Sequence, residues 1–163
     1  MLDHATLLEH LHYDPETGIW TRLISAGRAK AGDRADSLTK GSKYYKLRLL
    51  GKQHNSHRLA WFYMTGAWPA QQIDHRDTNR HNNAWHNLRQ ATQIQNQGNQ
   101  KHRQDSTSGF KGVTWCKARR KWIASIGYNY KRFHLGAFDT AEDAHRAYKK
   151  AALEKFGEFA RHA

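Results

Sequence analysis

The side chains best able to do chemistry lie between Ile73 and Asn96. Asp74 and His75 are adjacent, an Asn-rich loop follows them, and Asn87 and Asn96 come after the loop. Carboxylate, amide and imidazole groups of this kind could together hold one divalent cation and one water molecule. The residue types and their spacing therefore indicate metal-assisted chemistry.

Hydrolysis of a phosphodiester is the reaction that suits these groups, because it needs charge stabilisation and an acceptor for the proton of water. A histidine has a reference pKa near ~6.5, so His75 can be a neutral base at cellular pH. Asp74 and Asn96 offer hard oxygen ligands that suit Mg²⁺, whereas zinc would prefer more His or Cys. Asn87 cannot transfer protons and would orient its neighbours by hydrogen bonds.

Strand geometry constrains how Asp74 and His75 can act together. Successive side chains of a strand point to opposite faces, so either one of the two binds metal nearly side-on or the strand ends there. A plainer alternative is a polar strand-loop-strand whose asparagines only satisfy turns. Every position of the pattern holds a chemically competent side chain, which favours the catalytic interpretation.

The net charge points to a polyanionic partner. The chain of 163 residues has 27 Lys and Arg against 14 Asp and Glu, a formal charge of +13. Residues 101–163 are the more basic part, with 14 basic and 6 acidic side chains. Solubility alone rarely needs so much charge of one sign, and with six Trp the composition favours nucleic acid as the partner.

Composition and cysteine content argue against other classes of protein. No segment approaches the ~20 apolar residues of a membrane span, and the mean hydropathy is −0.96. Met1 to His12 lacks a basic n-region and an uninterrupted apolar core. The single cysteine, Cys116, excludes an intrachain disulfide and a Cys-x-x-Cys zinc knuckle. We expect a cytoplasmic protein with no membrane association and no obligate protein partner.

The first part of the chain mixes helix and strand signals. Residues 7–11 predict a short amphipathic helix, followed by a turn at 14–18 and a strand at 19–23. Residues 44–57 predict a hairpin around Gly51. The apolar run 58–65 predicts a helix that ends at Gly66 and supplies core.

The chemically capable residues are expected on two short strands and a helix. Residues 73–75 and 87–90 predict strands on either side of a long polar loop. Thr92 suits a helix N-cap, with Gln95 three residues later completing a capping box. Asn96 would then lie in the first turn of this helix and face back toward the strands.

The pattern changes after residue 106. Residues 100–106 contain no apolar side chain and predict a linker. Beyond it the sequence predicts three strands, at 113–116, 121–126 and 131–135, and a helix from the Thr140 cap to about Phe156. Small side chains on the apolar face of that helix would let it lie close on the sheet. At least one of Trp115 and Trp122 is expected to be buried.

The pattern of Asp74-His75, Asn87-Leu88-Arg89 and Asn96 resembles the HNH nuclease motif of phage-type homing endonucleases. His57-Arg58-Leu59, Trp61 and Ile73 also resemble the segment that precedes the motif in that family, and the resemblance covers about residues 14–99. It implies a ββα-metal fold, in which two antiparallel strands and a helix surround one cation.

The resemblance also implies a role for each residue of the motif. His75 would be the general base, Asn87 an orienting residue, and Asp74 and Asn96 the ligands of Mg²⁺ or another divalent cation such as Mn²⁺. The third position is Asn where many members have His, and Asn keeps an oxygen ligand there.

The C-terminal part resembles the plant ethylene-response-factor (Apetala-type) DNA-binding domain over about residues 107–160. The resemblance rests on a set of short segments: Ser108 to Val113, Trp122 to Ile126, Phe133 to Thr140, Ala141 to Ala144, and Ala147-Tyr148. It implies that a three-stranded sheet lies in the major groove of duplex DNA, with strand side chains meeting bases and phosphates.

Basic side chains are the candidates for DNA contact. Guanidinium groups bind phosphate bidentately, so Arg58, Arg76 and Arg89 are predicted phosphate contacts, although Arg58 or Arg89 could equally pair with a carboxylate to hold the fold. In the C-terminal part the predicted contacts are Lys111, Lys117, Arg119, Arg120, Lys121, Lys131, Arg132 and His134. Their alternative is a solvated basic face.

Together these features predict an α+β protein with an HNH nuclease module at 1–99, a linker at 100–106 and a DNA-binding domain at 107–163. The N-terminal module would carry the ββα-metal motif, and the C-terminal domain a three-stranded antiparallel sheet packed on one α-helix. The expected function is metal-dependent cleavage of duplex DNA, and the expected class is a homing endonuclease. The protein would act in a bacterial host cell, and its gene could be carried by a phage. The rivals are a non-catalytic DNA-binding regulator on a decayed nuclease scaffold and a nonspecific defence nuclease.

Overall fold

The computed structural model describes residues 2–100 and 108–161. The chain is mixed α/β, consistent with the predicted α+β class, and it divides into two compact units, Met1–Ala91 and Thr92–Ala163. Apart from Gln100, the predicted linker at 100–106 lies outside the described residues. In the part of the chain that the structure describes, no helix has the length and apolar character to cross a membrane.

The first unit begins with helix α1 (His4–His10) and the antiparallel strands β1 (Leu11–Tyr13) and β2 (Trp20–Arg22). The side chain of Asp3 caps α1 by accepting a hydrogen bond from the backbone N–H of Thr6. Gly18 lies in the turn between the strands with φ +72°, and a Cβ there would come within 2.3 Å of the Asn83 backbone. Only glycine permits this close approach.

A small antiparallel sheet follows, formed by β3 (Asp36–Ser37), β4 (Lys46–Leu49) and β5 (Lys52–Asn55) in that order. Leu50 and Gly51 form the turn of the β4–β5 hairpin, both with positive φ. The hairpin ends earlier than predicted, because residues 56 and 57 belong to the next helix.

Helix α2 (Ser56–Thr65) supplies the core of the first unit and ends at Gly66 in the left-handed conformation. Leu59 and Phe62 of this helix are buried with Leu7, Leu11, Tyr13 and Trp20. Burial of each such side chain contributes about 1.5–3 kcal/mol. This core fixes α2 and therefore the residues at its start.

The last elements of the first unit are the antiparallel strands β6 (Gln72–His75) and β7 (Leu88–Ala91). A 3₁₀ turn at Trp85–Asn87 leads into β7, so Asn87 precedes this strand instead of opening it as predicted. The register places Asp74 opposite Arg89 and His75 opposite Leu88.

The second unit begins with the short helix α3 (Gln93–Gly98), which has the predicted capping box. The Thr92 hydroxyl accepts from the backbone N–H of Gln95, and the Gln95 side chain accepts from that of Thr92. An antiparallel sheet follows, formed by β8 (Val113–Cys116), β9 (Lys121–Tyr128) and β10 (Lys131–Phe138), with β9 in the middle.

Helix α4 (Ala141–Phe156) packs on this sheet. Ala144 is buried together with Val113 and Ala124 of the strands, and Tyr148 and Ala151 of the helix are also buried. Trp115 is 39% exposed and Trp122 is half-buried, so the expectation that one of them is buried was wrong. Their rings contact each other edge-on at 5.1 Å, and this mutual contact covers part of each ring.

Candidate functional site

Asp74 and His75 occupy the end of β6, and His75 is its last residue. Both are buried, with exposed fractions of 6% and 4%. Strand alternation left two possibilities, side-on metal binding by one of the two residues or a strand that ends at them. The structure has the second, because β6 ends at His75.

Asp74 forms a buried ion pair with Arg89 of β7. Arg89 donates from Nε and Nη2 to Oδ2 of Asp74, at 3.0 and 2.9 Å. Arg89 is therefore buried. The structure supports the alternative prediction for it, a carboxylate partner, and not the predicted phosphate contact. The pair holds the carboxylate in a fixed orientation because the Arg89 donors have a rigid fork geometry.

The imidazole of His75 is held by Asn83. Nε2 of His75 lies 3.1 Å from the amide Oδ1 of Asn83. An amide oxygen only accepts, so Nε2 carries the hydrogen and Nδ1 is the basic nitrogen of the neutral ring. Burial lowers the pKa of His75 and outweighs the opposite effects of the Asn83 hydrogen bond and of Asp77 and Asp74. The ring is thus neutral near pH 7 and has the form a general base needs.

Asn83 is itself held in place by the N-terminal strands. It is 2% exposed, and its carbonyl oxygen accepts from the Tyr13 hydroxyl at 2.6 Å. Gly18 lies against its backbone. Sequence reasoning missed Asn83, since nothing in the order of the loop asparagines distinguishes it from Asn79 or Asn82.

Asn87 braces the loop between the two strands. Its Nδ2 donates to Oδ1 of Asp77 at 3.0 Å and to the Asn82 carbonyl at 2.8 Å, and its Oδ1 accepts from the backbone N–H of Asp77. Burial raises the pKa of Asp77, but hydrogen bonds from Asn82, Asn79 and Asn87 lower it by more, so the net pKa lies below its usual value. Asn87 therefore has the contacts of an orienting residue.

His57, at the start of α2, lies beside His75. The two rings meet edge-on with centroids 5.3 Å apart, and Tyr44 contacts the His57 ring at 4.8 Å. His57 is 6% exposed, and its Nδ1 has no hydrogen-bond partner among the described residues. The sequence marked this histidine only as part of the segment before the motif, because burial depends on the packing of α2.

Replacing His57 by Phe is expected to make folding stability less sensitive to acid. Burial, with smaller effects of His75 and Arg58, lowers the pKa of His57 to about 3. The folded ring therefore stays neutral while the unfolded ring protonates below pH ~6.5. Stability present above pH ~6.5 is lost as the pH falls toward the folded pKa, at about 1.4 kcal/mol per pH unit for each proton. Denaturant unfolding at a series of pH values measures this slope.

The matched control is His12→Gln, because His12 is exposed on β1. The dependence of its unfolding free energy on acid pH should equal that of the wild type. In His57→Phe this dependence should be weaker, by an amount that corresponds to at most one bound proton. Some acid dependence remains in His57→Phe, since the pKa of His75 is lowered as well. Equal slopes in His57→Phe and the wild type would rule out a buried neutral His57.

The predicted metal ligands fit a hard cation by their chemistry. Asp74 offers a carboxylate and Asn96 an amide oxygen, and Mg²⁺ or Mn²⁺ takes few protein ligands and keeps several waters. Asn96 is half-buried in α3, in the second unit. Within residues 2–100 and 108–161, no group of three or more His, Cys, Asp or Glu could hold a metal ion. The two predicted donors thus lie on β6 of the first unit and on α3 of the second unit.

The remaining predicted contacts of the first unit differ in their surroundings. Arg58 donates from Nη1 to the Gln71 carbonyl and from Nη2 to the Pro69 carbonyl, both at 3.2 Å. It thus holds the segment that enters β6. Arg76 is exposed immediately after His75.

In the second unit most predicted DNA contacts are exposed, and Lys111 and Lys121 are half-buried. Arg132 and His134 lie on β10, and Arg132 donates from Nε to the Ser125 hydroxyl at 3.1 Å. Lys121 is half-buried and pairs with Asp139. Lys111 donates from Nζ to the Gly98 carbonyl at 2.7 Å, so its ammonium group contacts the protein's own backbone. The exposed remainder comprises Lys117, Arg119, Arg120 and Lys131.

Comparison with known proteins agrees with both predicted resemblances. The family model described as HNH endonuclease matches residues 54–97, and the AP2 domain model matches residues 108–158. The chain belongs to the HNH endonuclease family and carries an AP2 DNA-binding domain after the HNH region. It is 33% identical over 111 residues to Protein 3.8 of Escherichia phage T7, an alignment that covers 68% of this chain and 91% of that protein. No solved structure matches the chain.

Proposed function

We propose that this protein is a metal-dependent endonuclease that hydrolyses phosphodiester bonds in duplex DNA. The observation that carries the proposal is the neutral, buried His75, held through Nε2 by Asn83 next to the carboxylate of Asp74. A fixed neutral imidazole beside a carboxylate side chain is the arrangement that activation of water near a cation needs.

In the proposed reaction the chain's own residues position and move a proton. His75 accepts the proton of the attacking water at Nδ1, while Asn83 holds the ring and Asn87 braces the loop around it. Arg89 keeps the carboxylate of Asp74 oriented. Asp74 and Asn96 would hold the Mg²⁺ or Mn²⁺ ion, which when bound would stabilise charge on the departing 3′ oxygen. The resulting hydroxide attacks phosphorus, the bond from phosphorus to the 3′ oxygen breaks, and that oxygen takes a proton from solvent, so the products would carry 5′-phosphate and 3′-hydroxyl ends.

The second unit would bind and position the duplex. Its sheet of β8, β9 and β10, packed on α4, presents Arg132 and His134 on exposed positions of β10. Exposed Lys and Arg at strand ends and turns would neutralise phosphates, and each such contact would steepen the salt dependence of affinity by about 0.9 in the log-log slope. We assign the HNH module to residues 1–99 and the DNA-binding domain to residues 107–163.

The biological role we propose is that of a homing endonuclease, acting in the cytoplasm of a bacterial host. The similarity to a protein of phage T7 supports a phage-borne gene. The rival is a non-catalytic DNA-binding regulator, and the observation that favours it is the engagement of Asp74 by Arg89, which occupies one carboxylate oxygen of the predicted metal ligand.

The deciding experiment incubates the protein with long duplex DNA, with Mg²⁺, with Mn²⁺ and with a chelator, and then maps the ends on each strand. The proposed function requires metal-dependent products with 5′-phosphate ends. Sequence-specific binding without any metal-dependent product would support the regulator instead. Products without sequence preference would support a defence nuclease.

A further inference from the structure

The C-terminal end of α3 is held by Lys111 of the AP2 domain and by the backbone of Arg161, which follows that domain. The carbonyl oxygen of Gly98, the last residue of α3, accepts a hydrogen bond from Nζ of Lys111 at 2.7 Å. The backbone N–H of Arg161 donates to the same oxygen at 3.3 Å. The last carbonyls of a helix have no partner within the helix, so these two donors satisfy a group that α3 cannot satisfy itself.

The same end of α3 rests on the end of α4. A Cβ at Gly98 would come within 2.6 Å of Cγ of Phe156, so the missing side chain is what allows this contact. Glycine weakens a helix by about 1 kcal/mol relative to alanine. A six-residue helix is marginal alone, so α3 depends on this contact and on its capping box.

Lys111 has the surroundings of an anchoring residue. Burial, with the charge of Arg161, lowers the pKa of Lys111 to about 8, because the ammonium group is partly removed from water. A buried ammonium group is costly unless it is hydrogen-bonded, and the Gly98 carbonyl supplies that bond. A cation is also favourable beside the carbonyl end of a helix.

We propose that Lys111, Gly98 and Phe156 form an anchor through which the AP2 domain positions α3 and thus the metal ligand Asn96. This inference rests on the proposed function, since Asn96 matters as a ligand only in a metal-dependent nuclease. The three are positioning residues, because they act through α3. The AP2 domain would then serve the chemistry as well as DNA binding, and Lys111 would act inside the protein.

The test uses the full chain with Lys111→Met, the conservative Lys111→Arg, and Lys150→Met as the matched control on an exposed position of α4. Four quantities are measured: hydrogen exchange of the α3 amides, Mn²⁺ affinity without DNA, and kcat and KM for duplex cleavage with Mg²⁺. Loss of a residue that supports a metal ligand typically lowers metal affinity about 10–100-fold. We expect Lys111→Met to speed α3 exchange about tenfold, weaken Mn²⁺ binding by a similar factor, and lower kcat more than it changes KM.

Lys111→Arg should recover part of each loss, and Lys150→Met should match the wild type. The anchor would be contradicted if Lys111→Met had the same α3 hydrogen exchange and the same Mn²⁺ affinity as the wild type. A change in KM alone would contradict it as well. If Lys111→Met does not fold, Gly98→Ala carries the test under the same criteria, because its Cβ meets the Phe156 ring.

The outcomes also separate this inference from the proposed function. A wild-type protein that neither cleaves DNA nor binds Mn²⁺ contradicts the proposed function, and α3 exchange in the variants then decides the anchor alone. A wild-type protein that cleaves, with variants that leave exchange and Mn²⁺ affinity unchanged, contradicts only the anchor.

Discussion

His75→Ala is expected to lower the rate of DNA cleavage by a factor of about 10²–10⁴ and to leave duplex affinity close to that of the wild type. The substitution removes the proposed proton acceptor but none of the exposed basic side chains of the second unit. Single-turnover cleavage with saturating protein measures the chemical step, and a binding titration in the presence of a chelator measures affinity without cleavage.

His12→Ala is the control for removing an imidazole, because His12 is exposed on β1. Its cleavage rate should equal that of the wild type. His75→Ala also leaves Asn83 without its imidazole partner, so thermal unfolding must establish that both variants are folded. Cleavage by folded His75→Ala at the wild-type rate would remove His75 from the mechanism.

Arg89→Met is expected to lower the free energy of unfolding by about 3–5 kcal/mol, the usual cost of leaving a buried charge without its partner. The carboxylate of Asp74 would stay buried and would lose its ion pair with Arg89. Denaturant unfolding at neutral pH measures the change. This loss is large compared with the total stability of about 5–15 kcal/mol of a typical domain.

Two comparisons sharpen this expectation. Arg146→Met breaks an exposed ion pair with Asp143 and should change stability far less than Arg89→Met, because solvent screens exposed pairs. The double variant Asp74→Leu, Arg89→Met replaces both charges by apolar groups and should regain much of the lost stability, while it removes a proposed metal ligand. An Arg89→Met protein of normal stability but weakened DNA affinity would restore the phosphate-contact hypothesis for Arg89.

Local signals in the sequence were sufficient for many of the elements. The Thr92 and Gln95 capping box, the Gly66 helix end and the strand at 113–116 all depend on residues a few positions apart, and the structure has them as predicted. The motif Asp74-His75 was recognisable for the same reason, since the residue types and their spacing are local properties.

The sequence left the role of Arg89 open between a phosphate and a carboxylate partner, and it did not predict the role of Lys111. Each looks like a surface cation in the sequence, and each becomes an internal donor through a partner 15 or 13 residues away. Arg89 is placed by the register of β6 with β7, and Lys111 by the position of α3 on α4. Asn83 is a further case, because its burial depends on Tyr13, 70 residues earlier. Such contacts follow from tertiary structure and leave no periodic pattern.

Because Gly18 lies against the Asn83 backbone, the HNH motif depends on the N-terminal strands when it is transferred to another protein. A graft of residues 54–97 onto another DNA-binding domain would carry the whole region matched to the HNH family but would leave Tyr13 and Gly18 behind. The amide that holds His75 would then lose its support. Transfer of the motif to another protein should therefore preserve the first strands together with it, and successful chimaeras should have their junctions after residue 97.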